Sequence, residues 1–151
     1  MAGMRALGRV YDITTNASGV ALSLKNCSGI GLLAIAGSTA TGTLTLTASS
    51  SYGGTYTAVN TTNGFGQPTT WFQRAGDSTH AWTKQTASWS SNALTIAATS
   101  GYQSYVDYLV SELADTYDYL KITAGTAITL TAILYDMTVQ RTPENLVIPS
   151  S

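Results

Sequence analysis

Alternation with a period of two constrains this chain more than any other feature. In GTLTLTAS, Gly42 to Ser49, Leu44, Leu46 and Ala48 fall on one side of an extended backbone, and Thr43, Thr45 and Thr47 on the other. Successive side chains of a strand point to opposite faces, so this segment reads as a strand buried on one side. The pattern returns in SNALTIAAT through Leu94 and Ile96. It returns again in GTAITLTAILYDMTV, where Ile128, Leu130, Ala132 and Leu134 share a face. Thr55 to Val59 reads as the strand returning from Gly42–Ser49, with Gly53-Gly54 expected to supply the positive φ of a tight turn. Further strands are expected at Val10–Thr14, Val20–Lys25, Leu32–Ala36, Trp71–Arg74 and Ala81–Ala87. Turn signals recur about every ten residues, the rhythm of an all-β sandwich or barrel.

Composition supports strands. Threonine fills 25 of the 151 positions, and its branched Cβ suits a pleated surface. The expectation is an antiparallel β-sandwich, immunoglobulin-like or jelly-roll-like. It occupies residues 1–140 as one domain, with Leu44, Leu46, Leu94, Ile96, Leu120, Ile122, Leu130 and Ala132 facing inward. Pro143 and Pro149 argue that 141–151 is an extended arm rather than a central strand. One segment departs from the alternation. In SYVDYLVSELADTYDYL, Val106, Leu109, Val110, Leu113 and Tyr117 are spaced as on a helix. The β-branched and aromatic residues of Tyr105–Val110 favour a strand followed by a tight helical turn over a continuous helix.

Charge narrows the functional classes. Only 10 % of residues are charged, against roughly 25 % in an average soluble protein. The net charge is −1, so no basic footprint for nucleic acid is visible. A weakly charged surface suits a chain that lives in an assembly, because interface cores are depleted in the same residue types. Cys27 is the single cysteine, so no intrachain disulfide framework is possible. Met1 to Arg9 lacks a basic region followed by an apolar run, and the expectation is folding in a cytoplasm. The most apolar run, Gly29 to Gly37, is too short to span a bilayer.

Residues that bear chemistry are few. Glu112, Asp115 and Asp118 lie in ELADTYDYLKITAG, and Asp136 follows it. Glycosidases pair carboxylates in this way, but no spacing brings two of these together in a cleft. The scaffold reading fits better: Asp115 and Tyr117 match the corner of a sandwich, where a tyrosine hydroxyl bonds the backbone upstream and pins the crossing chain. His80 could join Asp77 and Ser78 or Ser100 in a triad on paper, without a nucleophile elbow to support it. No zinc or calcium ligand spacing and no phosphate loop is present. No catalytic residue, cofactor, metal or small-molecule substrate is therefore expected.

The aromatics leave two readings open. Trp71, Phe72, Trp82 and Trp89 sit in the middle third. Exposed, they would stack on sugar rings; alternatively, Trp82 is core and the others plug loops or meet a neighbour. Trp71, Phe72 and Trp89 are assigned to a partner interface, together with Leu146, Val147 and Ile148 of the arm. The arm has two possible destinations, its own sandwich or a neighbouring subunit.

Three stretches carry a resemblance: SYGGTYTAV, then YDYLKIT, then AILYDMTVQRTPENL. With the Ser/Thr/Gly-rich composition, they resemble minor capsid or head-decoration proteins of tailed bacteriophages infecting actinobacteria, from Gly42 onward. The resemblance implies a non-enzymatic sandwich on the capsid exterior of the virion, made in the host cytoplasm. Its implied partners are the major capsid protein and its own copies, often as a homotrimer, with neither nucleic acid nor membrane. The alternative is a carbohydrate- or receptor-binding sandwich of a phage tail fibre. The loop GFGQPTTWFQ has no counterpart in that resemblance.

Overall fold

A computed structural model describes residues 10–37, 42–76, 79–96, 99–113, 116–125 and 127–137. Twelve strands are formed among them. These are β1 (Val10–Thr15), β2 (Ala21–Ser23), β3 (Gly29–Ala36), β4 (Gly42–Ser49), β5 (Thr57–Ala58), β6 (Thr70–Arg74), β7 (Thr83–Thr86), β8 (Ser88–Ser90), β9 (Ala93–Ile96), β10 (Gln103–Leu109), β11 (Tyr119–Ala124) and β12 (Ile128–Met137). Short 3-10 turns occupy Thr61–Asn63 and Val110–Glu112. The segment with helical spacing is thus a strand followed by one tight turn, as its crowded β-branched and aromatic residues require.

Two antiparallel sheets face each other. The first runs β1-β12-β3-β10-β6-β7 and the second β2-β11-β4-β9-β8, with β5 paired to β4. The pairs nest: β1 with β12, β2 with β11, β3 with β10, β4 with β9. Successive nested pairs alternate between the two sheets. This is a long two-stranded ribbon rolled over a core, the wrapping of a jelly roll rather than of an immunoglobulin domain. Residues 50–92 form the far end of the ribbon, where β6 and β7 widen the first sheet and β8 widens the second.

The core follows the alternation. All eight residues expected to face inward are at most 3 % exposed. Ile30, Leu32, Val106 and Tyr108 join them from the first sheet. Buried Leu and Ile side chains each contribute about 1.5–3 kcal/mol, so the stripe from the sequence is also the main source of stability. The β8–β9 hairpin turns through two residues with Ser91 at φ 56, the mirror-image turn that matches strand twist. The expected β4–β5 hairpin is present, but neither Gly53 nor Gly54 has a positive φ. Gly54 is required instead by proximity: a Cβ there would run into the hydroxyls of Ser49 and Ser51.

Candidate functional site

The two outer faces of the sandwich differ. On the second sheet, the outward positions of β4 are Thr43, Thr45 and Thr47, flanked by Thr123 and Thr95. On the first sheet, beside the row Tyr135–Gly29–Leu109, they form three further cross-strand rows. One row is Ile13–Ile133–Gly31–Asp107; the next is Thr15–Thr131–Leu33–Tyr105–Phe72–Lys84; the third is Thr129–Ile35–Gln103–Arg74. Ile13 is 60 % exposed, and Ile35, Phe72 and Leu109 are also open to solvent. Asp107, Arg74 and Lys84 are the charges in these rows. Arg74 is held at its place by Gln103, whose Oε1 accepts from its Nε at 2.8 Å, and its guanidinium lies over the Trp82 ring.

Two tyrosines flatten this face. Gly29 and Gly31 point outward on β3, and the rings of Tyr135 and Tyr105 lie across them. A Cβ on Gly31 would be 2.8 Å from the Tyr105 hydroxyl. The Tyr135 hydroxyl donates to Asp107 Oδ1 at 2.6 Å, which ties β12 to β10 over the top of β3. Burial raises the Tyr105 phenol above its ordinary value, and Asp107 adds to the shift, so this phenol remains neutral near pH 7. The result is a level surface on which apolar side chains alternate with threonines and three charges.

The sequence-assigned interface residues separate. Phe72 lies on this face. Trp71 does not: it is 6 % exposed, and its assignment to a partner surface is corrected. Alternation in β6 turns Phe72 outward beside Tyr105, and therefore turns Trp71 into the core. Trp82, the core candidate, is 41 % exposed because it precedes β7 and escapes the alternation. Trp89 packs on the core and donates from Nε1 to the Pro68 carbonyl at 2.8 Å. Leu146, Val147, Ile148 and Asp115 lie outside the described residues.

The far loop closes one end of the sandwich. Phe65 is buried, and its ring meets Tyr117 at 5.0 Å. The tyrosine whose buried hydroxyl visibly pins a crossing is Tyr108, which donates to the Gly66 carbonyl at 2.9 Å. Gln67 donates from Nε2 to the carbonyls of Val59 and Ser91. The GFGQPT part of the stretch is therefore an end cap, and TWFQ is the body of β6.

At the same end, Leu24–Cys27 together with Val110, Ser111, Leu113, Tyr117 and Asp118 wall an open groove of about 530 Å³. Leu24 and Leu113 lie buried beneath it and Cys27, Val110 and Tyr117 are half-buried, while the surface it exposes is mainly polar. Its rim carries the Lys25–Asp118 pair at 3.4 Å. Asp118 is thus occupied by a cation. Ser100 donates to the Gly37 carbonyl, and His80 Nδ1 lies 3.4 Å from Thr79 Oγ1. Asp77, Ser78 and the Asp136 side chain are outside the described residues. Among the described residues, no group of three or more His, Cys, Asp or Glu could hold a metal, and no helix is long and apolar enough to cross a membrane. Comparison of the chain with family models, curated proteins and solved structures finds no match in any of the three.

Proposed function

We propose that this chain is a non-enzymatic structural protein of a virion. It decorates or cements the exterior of a phage capsid by binding major capsid subunits and its own copies, as a homotrimer. The observation that carries the reading is the outer face of the first sheet. Ile13, Ile133, Leu33, Ile35 and Phe72 run across it among Asp107, Arg74, Lys84 and threonines, two tyrosines level it, and nothing among the described residues covers it. Contiguous apolar surface of this kind marks interaction sites, and the charge-poor composition fits life within an assembly.

Size places a condition on the reading. Six strands spaced about 4.8 Å, across four side-chain rows, give a plane of roughly 500 Å² at most. A specific interface needs about 800 Å² per partner. The face is therefore the centre of a contact whose rim comes from β7, the Trp82–Arg74 stack or the arm.

The test mixes purified protein with empty capsids of the phage that encodes it, and measures bound copies per capsid. Wild type should saturate at a fixed ratio. Leu33→Glu places a carboxylate at the middle of the face without touching the core; it should fold normally and lose binding by at least tenfold. Unchanged binding by that variant, or retention on glycans without capsid binding, refutes the reading. The second of these results points instead to a tail-fibre receptor-binding domain.

A further inference from the structure

Arg74 ends the third cross-strand row, at a corner of the first sheet, and is half-buried. Two contacts fix its guanidinium. Nε donates to Gln103 Oε1 at 2.8 Å, and Cζ lies over the Trp82 ring, 4.9 Å from the centroid. Neither contact supplies a negative charge. Among the described residues, no carboxylate pairs with Arg74 or with Lys84, and the Arg74 Nη groups make no hydrogen bond. Burial disfavours a charge left without a counter-charge. Lys84 pairs with Phe72, two residues before Arg74 on β6, so it stands diagonally across from Arg74 on the same face. Such diagonal neighbours lie about 7–8 Å apart. The Trp82 indole N–H also lacks an acceptor among the described residues. The corner thus offers donors from Arg74, Lys84, Gln103 and Trp82. The one acceptor these four side chains possess, Gln103 Oε1, is already engaged by Arg74.

We propose that this corner receives a carboxylate, that of an aspartate or glutamate on the major capsid subunit. The proposal rests on the capsid reading and adds to it the chemistry of one contact. With Nε held by Gln103, the two Nη groups remain as a fork that matches both oxygens of a carboxylate. The surroundings favour a protein over an acidic sugar. One face of the Trp82 ring, on which a pyranose would stack, is taken by the guanidinium. Phe72, 37 % exposed, joins the corner to Tyr105 and Leu33 of the same face. Arginine and tryptophan together are the residue types that anchor protein interfaces. A second copy of the chain offers less to pair with: Asp107 accepts from Tyr135, Asp118 is paired with Lys25, and Glu112 is half-buried. The division of labour follows from the chemistry. The apolar rows supply non-directional adhesion, and the charged corner sets the orientation in which the face docks.

Arg74→Lys makes the test direct. A carbodiimide activates a carboxylate, and a neighbouring amine then forms an amide with it while the reagent leaves as a urea; a guanidinium does not react. Mixed with empty capsids and treated in this way, the variant should give a cross-link between position 74 and an aspartate or glutamate of the major capsid subunit, identified by peptide mass mapping. Arg74→Gln supplies the affinity measurement. Folded by circular dichroism, it should bind capsids at least tenfold more weakly than wild type, and added salt should weaken wild type more than the variant. No capsid cross-link at position 74, a cross-link to another copy of this chain alone, or equal capsid affinity of Arg74→Gln and wild type overturns the proposal, while wild-type binding keeps capsid decoration standing. Retention of wild type on immobilised glucuronate that Arg74→Gln loses would assign the corner to an acidic sugar, which also overturns it. Wild type that fails to bind capsids overturns the capsid reading itself, and the proposal with it.

Discussion

Gly29→Ala tests the tyrosine layer that shapes the proposed contact face. Gly29 has no positive φ, so its backbone accepts alanine. The obstacle is the Tyr135 ring: a new Cβ would lie 2.9 Å from its Cε2 and still closer to its hydroxyl and Cζ. The ring must swing away, and with it goes the 2.6 Å hydrogen bond to Asp107. A hydrogen bond to a charged group contributes about 1.5–3 kcal/mol, and the exposure of Asp107 favours the lower value. Alanine in place of a strand glycine returns about 0.5–1 kcal/mol. The net expectation is a loss of about 0.5–2 kcal/mol in urea unfolding. The discriminating measurement repeats the substitution in a Tyr135→Ala background. With the ring already gone, the same change should stabilise by about 0.5–1 kcal/mol. A destabilisation of equal size in both backgrounds would show that Gly29 is required for some other reason, and the account of the flattened face would fail.

Two further substitutions probe the groove end. Tyr108→Phe removes the buried hydroxyl that holds Gly66, and should cost about 1–2 kcal/mol, read as a melting temperature lower by roughly 2–8 °C; an unchanged melt would mean that the end cap does not depend on this bond. The Glu112 carboxyl titrates above its ordinary value, chiefly because burial desolvates it, with Asp107 adding and a backbone hydrogen bond at Leu109 opposing. The folded state thus holds this proton more tightly than the unfolded state. Its stabilising contribution is complete below the unfolded value and is lost as pH rises through the folded one. Wild type should therefore lose more stability than Glu112→Gln between about pH 4.5 and neutrality, and parallel stability curves would count against the burial of Glu112.

The legible part of the fold was whatever a strand reveals about itself. GTLTLTAS and ITLTAILYDM show their inward faces because an alternating pattern identifies its own apolar side. The jelly-roll wrapping was not legible, since it depends on which of many similar strands pair across more than a hundred residues, as Val10 does with Met137. The tryptophans failed for a related reason. In Thr70-Trp71-Phe72, both adjacent residues are large and aromatic, so alternation dictates that one is buried without saying which. The register with Tyr105 decides it. The start of β3 was missed because Gly29 and Gly31 weaken a strand locally. The rings that cover them, Tyr105 and Tyr135, lie far along the chain.

One sequence signal did point to the proposed contact face, and it lies in the contrast between two strands. In β4, apolar residues occupy one parity and threonines the other, as befits a strand with one face in water. In β3, Ile30, Leu32, Ala34 and Ala36 take the inward parity, while Leu33 and Ile35 occupy the outward one. β12 repeats this with Leu130, Ala132 and Leu134 inward and Ile133 and Tyr135 outward. Strands apolar on both faces belong in sheets covered on both sides. The second sheet covers one side of β3 and β12; on the other, the described chain supplies only the two tyrosines. Ile13, Ile35, Phe72 and Leu109 are left exposed around them. A chain this poor in charge gains nothing in solubility from such a surface. The run Gly29 to Gly37 is too short for a bilayer, and under the proposed function its outward residues Leu33 and Ile35 would meet a partner.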